Sequence, residues 1–159
     1  LTFGCYHGLP FLKRDRVCVW LAEAVEHARR NLGMAVWAYV FMPNHVHLLV
    51  HFGRKRYDIG KILREIKGPV SRKALAYLRE NAPQWLPKLQ TVRGERTEFH
   101  FWQRGGGYDR NITEPATLEH VIEYLHARVD ALRMRHEEVQ HLEFGRPQRD
   151  FRLARGYPM

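Results

Sequence analysis

The chain has 159 residues, 45% hydrophobic and 27% charged, a composition that favours one globular domain with a buried core and argues against disorder. Lys and Arg (26) outnumber Asp and Glu (17) to leave a net charge of +9, so the expected partner is a polyanion, nucleic acid first and an anionic membrane surface second. No apolar run approaches the ~20 residues of a membrane span and no signal-peptide pattern follows Leu1; Cys5 and Cys18 are too few for a disulfide scaffold and lack metal-ligand spacing, which suits a reduced cytosolic compartment.

The first predicted element is a short strand, Leu1 to Tyr6, ended by Gly8 and Pro10. Asp15 then offers an N-cap to a helix whose Val17, Trp20, Leu21, Ala24, Val25, Ala28 and Leu32 recur at helical spacing, with Gly33 as the stop. From Ala35 to Phe52 the pattern turns β-branched and aromatic, broken at Met42-Pro43-Asn44, which predicts a β-hairpin. Asp58 opens a second helix with Ile59, Ile62, Leu63 and Ile66 inward; Gly68-Pro69 is expected to interrupt it before Val70, Ala74, Leu75 and Leu78 resume the stripe. Residues Asn81 to Thr97 read as a loop, Glu98 to Trp102 as a strand, and Gly105-Gly106-Gly107 as a flexible run. Thr113 and Pro115 mark a third helix with Leu118, Val121, Ile122, Leu125, Val129 and Leu132 on one side. This order predicts an α+β fold: a ferredoxin-like split βαβ antiparallel sheet with helices on one face, plus an extra C-terminal helix. Such a fold hosts many functions, so the function has to be argued from particular residues.

Two features carry chemistry. In Met-Pro-Asn-His-Val-His-Leu-Leu-Val, His45 and His47 sit at i and i+2 of a strand and point to one face, while Val46, Leu48 and Val50 point to the core. Two imidazoles held this way supply two ligands of a divalent-metal site; the alternative is a solvent-facing pair on a sheet. His51 shares the face but lies ~13 Å further along the strand. On the third helix Tyr124 falls about 60° outside the apolar stripe, flanked by His120 at i−4 and Arg128 at i+4. A tyrosine at that border is either a packing residue with a wet hydroxyl or a nucleophile held by packing and open to attack.

Four segments together resemble a known family: Met42 to Val50, Glu65 to Arg72 (Glu-Ile-Lys-Gly-Pro-Val-Ser-Arg), Phe101 to Ile112 (Phe-Trp-Gln-Arg-Gly-Gly-Gly-Tyr-Asp-Arg-Asn-Ile) and Val121 to His126 (Val-Ile-Glu-Tyr-Leu-His). Over about Leu1 to His126 the chain is similar to the REP-associated tyrosine transposases, of the HUH superfamily of single-tyrosine insertion-sequence transposases. The resemblance implies a bacterial cytoplasmic, nucleoid-associated enzyme, monomer or homodimer, acting on single-stranded or hairpin DNA. It implies that His45 and His47 hold Mg²⁺ or Mn²⁺, and that Tyr124 attacks the scissile phosphate to leave a 5′-phosphotyrosine and a free 3′-OH. It also implies a catalytic domain over 1–132, with 133–159 a divergent Arg-rich tail, unlike the usual family C-terminus.

One position departs from the pattern. The family's helix typically carries an Asn four residues after the tyrosine, where a third metal ligand is expected, and here Arg128 stands in its place. His120, on the same flank as Tyr124, is the expected substitute. Lys67, Arg72, Lys73, Arg104 and Arg110 flank the glycines and the second helix as candidate phosphate contacts, with Tyr108 as a candidate stacking residue; the alternative is a solvated basic face. The readings are therefore an active single-tyrosine DNA transferase, a descendant that only binds hairpin single-stranded DNA, or an unrelated ferredoxin-like binding module.

Overall fold

A computed structural model describes residues 1–53, 57–105 and 107–133, without the side chains of residues 115 and 126–133. The predicted tail thus falls almost wholly outside the described residues. The N-terminal strand β1 (Thr2–Gly4) is followed by α1 (Asp15–Leu32), the hairpin β2 (Met34–Phe41) and β3 (His45–Phe52), α2 (Ile59–Asn81), a second hairpin β4 (Gln90–Arg93) and β5 (Arg96–Phe99), and α3 (Pro115–Arg133). The main sheet is antiparallel in the order β1-β3-β2, which is the expected α+β, split βαβ arrangement. No described helix is long and apolar enough to cross a membrane.

α1 forms where its stripe predicts, burying Val17, Leu21, Ala24, Val25 and Ala28. It stops at Gly33, whose left-handed backbone (φ 61°) lets its N–H reach the Arg29 carbonyl. Asp15 lies inside the first turn; Arg14 takes the cap position with no side-chain bond, and the Asp15 carboxylate sits favourably at the positive end of the helix dipole. On the outer face Arg29 and Arg30 both bond Glu26 and hold its carboxyl down at about 2.

The Met42-Pro43-Asn44 turn joins β2 and β3 as expected, with Phe41 opposite Val46. The register slips between Val36 and Ala38, a bulge at Trp37 that keeps the two faces of the strand distinct along its length. Val46, Leu48, Val50 and Phe52 therefore meet α1 and α2 in the main core, while Ala38, Val40 and Leu49 face the other way. That second face is covered by α3 through Leu125 and the half-buried Leu118, Val121 and Ile122. So α1 and α2 share one side of the sheet and the extra helix lies on the opposite one, over the strand face that carries His45 and His47.

Two expectations are corrected. Gly68-Pro69 does not break α2, which runs unbroken from Ile59 to Asn81. Pro69 removes one N–H, but Ile62, Leu63 and Ile66 before it and Val70 and Ala74 after it bury into one continuous core, and this packing outweighs the lost bond. The second correction concerns residues 81–102. Pro83–Leu89 forms 3₁₀ turns, and the supposed loop contains β4, which pairs with β5 through a turn at Gly94 (φ 58°). This hairpin has no apolar alternation to announce it, since Val92 is 62% exposed. The predicted Glu98 to Trp102 strand accordingly ends at Phe99. Beyond it the chain runs along the free edge of β1 through isolated bridges, Cys5 with Trp102 and Thr2 with Tyr108. Phe101 and Trp102 are buried in the main core.

Candidate active site

β3 presents His45 and His47 on the α3 side of the sheet, because their neighbours Val46 and Leu48 are claimed by the main core. The two rings meet edge to face with centroids 4.9 Å apart, and their Nε2 atoms approach to 3.2 Å. Each Nδ1 points outward to an oxygen: that of His45 lies 2.7 Å from Asn44 Oδ1, and that of His47 lies 2.9 Å from Thr2 Oγ1. Thr2 reaches His47 because β1 pairs with β3 in the register that sets these two residues opposite each other, on the same face.

α3 brings the third residue. Tyr124 is 45% exposed, at the border of the face that Leu125 buries, and its ring stands edge-on to His47 with centroids 5.8 Å apart. Three residues separated by up to 79 positions in sequence thus converge where β3 and α3 face each other across the sheet surface. His51 takes no part: it is exposed and stacks on Trp37 with ring centroids 4.9 Å apart and planes 7° from parallel.

The donor set suits a divalent cation. Two cis ligands about 2.1 Å from one ion stand about 3.0–3.4 Å apart, and the 3.2 Å between the two Nε2 atoms falls in that span. Among the described residues no third His, Cys, Asp or Glu joins the pair. His120 is not brought to it; its side chain is 82% exposed and faces Glu123 at 3.7 Å on α3 itself, one helical turn from Tyr124. The side chain of Arg128 lies outside the described residues.

The six candidate DNA contacts separate into two groups. Lys67 is half-buried and donates to the carbonyls of Gln103 and Gly105, each at 3.2 Å, and burial lowers its pKa. Lys73 pairs with Glu23 of α1 at 2.6 Å and Arg104 with Glu98 at 2.7 Å. Arg72, Tyr108 and Arg110 are exposed, and neither arginine has an ion pair among the described residues. Two residues of the site were missed in the sequence. Asn44 reads as a turn former, and nothing in the sequence sets Thr2 opposite His47.

The family model described as "Transposase IS200 like" matches residues 11–128, which spans the histidine pair, the glycine run and Tyr124. The chain belongs to the IS200-like transposase family. A search of curated proteins returns no match. Membership makes DNA the expected polyanion, in line with the excess of basic residues, and transposition the general activity.

Proposed function

We propose that the chain is a metal-dependent endonuclease and strand transferase for single-stranded or hairpin DNA, with Tyr124 as nucleophile and His45 and His47 as ligands of Mg²⁺ or Mn²⁺. The observation that supports this best is the edge-to-face contact of Tyr124 with His47, itself within 3.2 Å of His45. It sets a hydroxyl-bearing ring beside the two imidazoles that this reading takes as cation ligands.

When bound, the cation would polarise the scissile phosphate and offset the charge that develops on it. The chain's own residues do the rest. Asn44 and Thr2 orient the two imidazoles, and α3, anchored by Leu125, holds the half-exposed Tyr124 at the sheet surface beside His47. The Tyr124 oxygen forms a bond to phosphorus as the bond from phosphorus to the 3′-oxygen breaks; the phenolic proton passes to solvent and the leaving 3′-oxygen takes one up. The product is a 5′-phosphotyrosine, which a 3′-OH can reverse, so the strand is rejoined without an outside energy source.

Incubation with hairpin single-stranded DNA and Mg²⁺ or Mn²⁺, followed by a denaturing gel, tests the reading. The expected result is a covalent adduct that Tyr124→Phe abolishes. Imidazole pairs favour Mn²⁺ over the harder Mg²⁺, so Mn²⁺ is expected to support the adduct at the lower concentration. Binding without adduct under either ion identifies a binding-only descendant and overturns the catalytic reading.

A further inference from the structure

The partner of His47 Nδ1 is the hydroxyl of Thr2, and Thr2 is held by structure that begins on the far side of the sheet. Lys67 of α2 donates to the carbonyls of Gln103 and Gly105, and its own carbonyl accepts the indole N–H of Trp102 at 3.0 Å. These three bonds tie the 102–105 turn to the helix. A few residues on, Tyr108 exchanges both main-chain bonds with Thr2, at 2.7 and 2.8 Å. Between turn and bridge, Gly107 adopts φ 79° and passes so close that a Cβ there would fall on the Thr2 carbonyl oxygen. Thr2 is thereby clamped between Tyr108 on one side and β3 on the other, with its side chain at His47.

We propose that Thr2 is a positioning residue that holds the orientation of His47 in either of its tautomers, and that Lys67, through the 102–105 turn, keeps Thr2 in place. The contacts of the two rings with each other, with Asn44 and with Thr2 fit one direction. Asn44 Oδ1 only accepts, so His45 carries its proton on Nδ1 and presents a lone pair at Nε2. His47 then donates from Nε2 to His45, and its Nδ1 accepts from the Thr2 hydroxyl. To offer its own Nε2 lone pair to a cation, His47 must instead hold the proton on Nδ1, with the Thr2 hydroxyl turned to accept it. The ring exchanges its proton between nitrogens through solvent, with no net gain or loss. A main-chain carbonyl could serve only the second state, whereas a hydroxyl serves both. Lys67, expected from its charge to touch phosphate, is on this reading a staple of the site. The cation half of the inference rests on the proposed function; the His47 half stands on the metal-free protein.

Ring-nitrogen NMR of His47 in the metal-free protein, with Mn²⁺ titrations, tests it in Thr2→Ser, Thr2→Val and Lys67→Met. Thr2→Ser is expected to keep the His47 signals and the Mn²⁺ affinity. Thr2→Val is expected to shift the His47 nitrogens, leave His45 Nδ1 in place and weaken Mn²⁺ binding roughly 10- to 100-fold, with Lys67→Met acting in the same direction by a smaller factor. Wild-type His47 signals and Mn²⁺ affinity in Thr2→Val overturn the role of Thr2, and the same result in Lys67→Met overturns the staple. If the wild-type protein takes up no Mn²⁺, the cation reading of the pair fails, and the His47 signals of Thr2→Val still decide whether Thr2 sets the ring. Should Thr2→Val not fold, Thr2→Ala removes the same hydroxyl and is read in the same way.

Discussion

His45 and His47 differ from the other histidines less by type than by what their strand neighbours do. Val46 and Leu48 are buried, so the rings that alternate with them have only one side to occupy and converge there. Replacing either ring with Ala removes half of that convergence, and the adduct with hairpin DNA is expected to fall by ~10²-fold or more while thermal stability holds near wild type. An equal loss in stability and adduct would assign the rings to packing instead. The two cysteines make a contrasting case. Burial pushes the Cys5 thiol up to about 12 and the Cys18 thiol to about 11, against 9.0 for an unburied one. Both thiols stay protonated near neutrality and become nucleophilic only as pH climbs toward those values, so at pH 8 the thiolate fraction of Cys18 is about 100-fold below that of a free thiol. Native protein is expected to resist a thiol reagent at pH 8 and to react at once in denaturant; rapid native labelling at Cys5 or Cys18 would contradict this.

At the scale of elements, α3 is the decisive piece, since it alone carries Tyr124 to the histidines. Of its described side chains only Leu125 is fully buried, against Ala38, Val40 and Leu49. Leu125→Ala is expected to cost about 2–5 kcal/mol of the packing that docks the helix. Hydrogen exchange should then quicken along α3 while the amides of α1 and α2 keep their protection, and adduct formation should drop with the helix docking. If exchange accelerates uniformly, α3 belongs to one cooperative unit with the main core. α2 offers the reverse test. Pro69 sits inside a continuous helix, so Pro69→Ala restores an N–H to the ladder and is expected to stabilise the protein by about 1–3 kcal/mol, read as a rise in denaturation midpoint. No change or a loss would mean that the proline ring itself packs favourably.

Across the whole molecule, the net charge of +9 is unevenly available. Lys73 and Arg104 neutralise carboxylates and Lys67 is spent on carbonyls, whereas Arg72 and Arg110 are exposed. If Arg72 or Arg110 contacts phosphate, its replacement by Gln should lower the slope of log affinity against log salt for single-stranded DNA by about 0.7, and Lys73→Gln should leave the slope unchanged. A slope lowered equally by all three would show that the ion pair with Glu23 opens in the complex.

Local pattern was enough for α1, with its Gly33 stop, and for the β2–β3 hairpin, because each is specified by residues close in sequence: a helical stripe, a left-handed glycine, a proline turn. Strand alternation was also enough to put His45 and His47 on one face. Local pattern failed for β4 and the bounds of β5, a polar hairpin with little to bury of which only Glu98 and Phe99 lie in the predicted strand, and at Pro69, where a core assembled from distant residues overrode a local break. The order of elements along the chain predicted an extra helix and a tyrosine on its border, but not which side of the sheet the helix would cover. That choice depends on Ala38, Val40 and Leu49 forming a second apolar face, which a bulge at Trp37 makes possible. Strand register, likewise, set Thr2 against His47 rather than a neighbour. Residue types and local periods are properties of the sequence by itself; which faces meet is decided by long-range burial and pairing, and in this protein that meeting brings Tyr124 to the histidines.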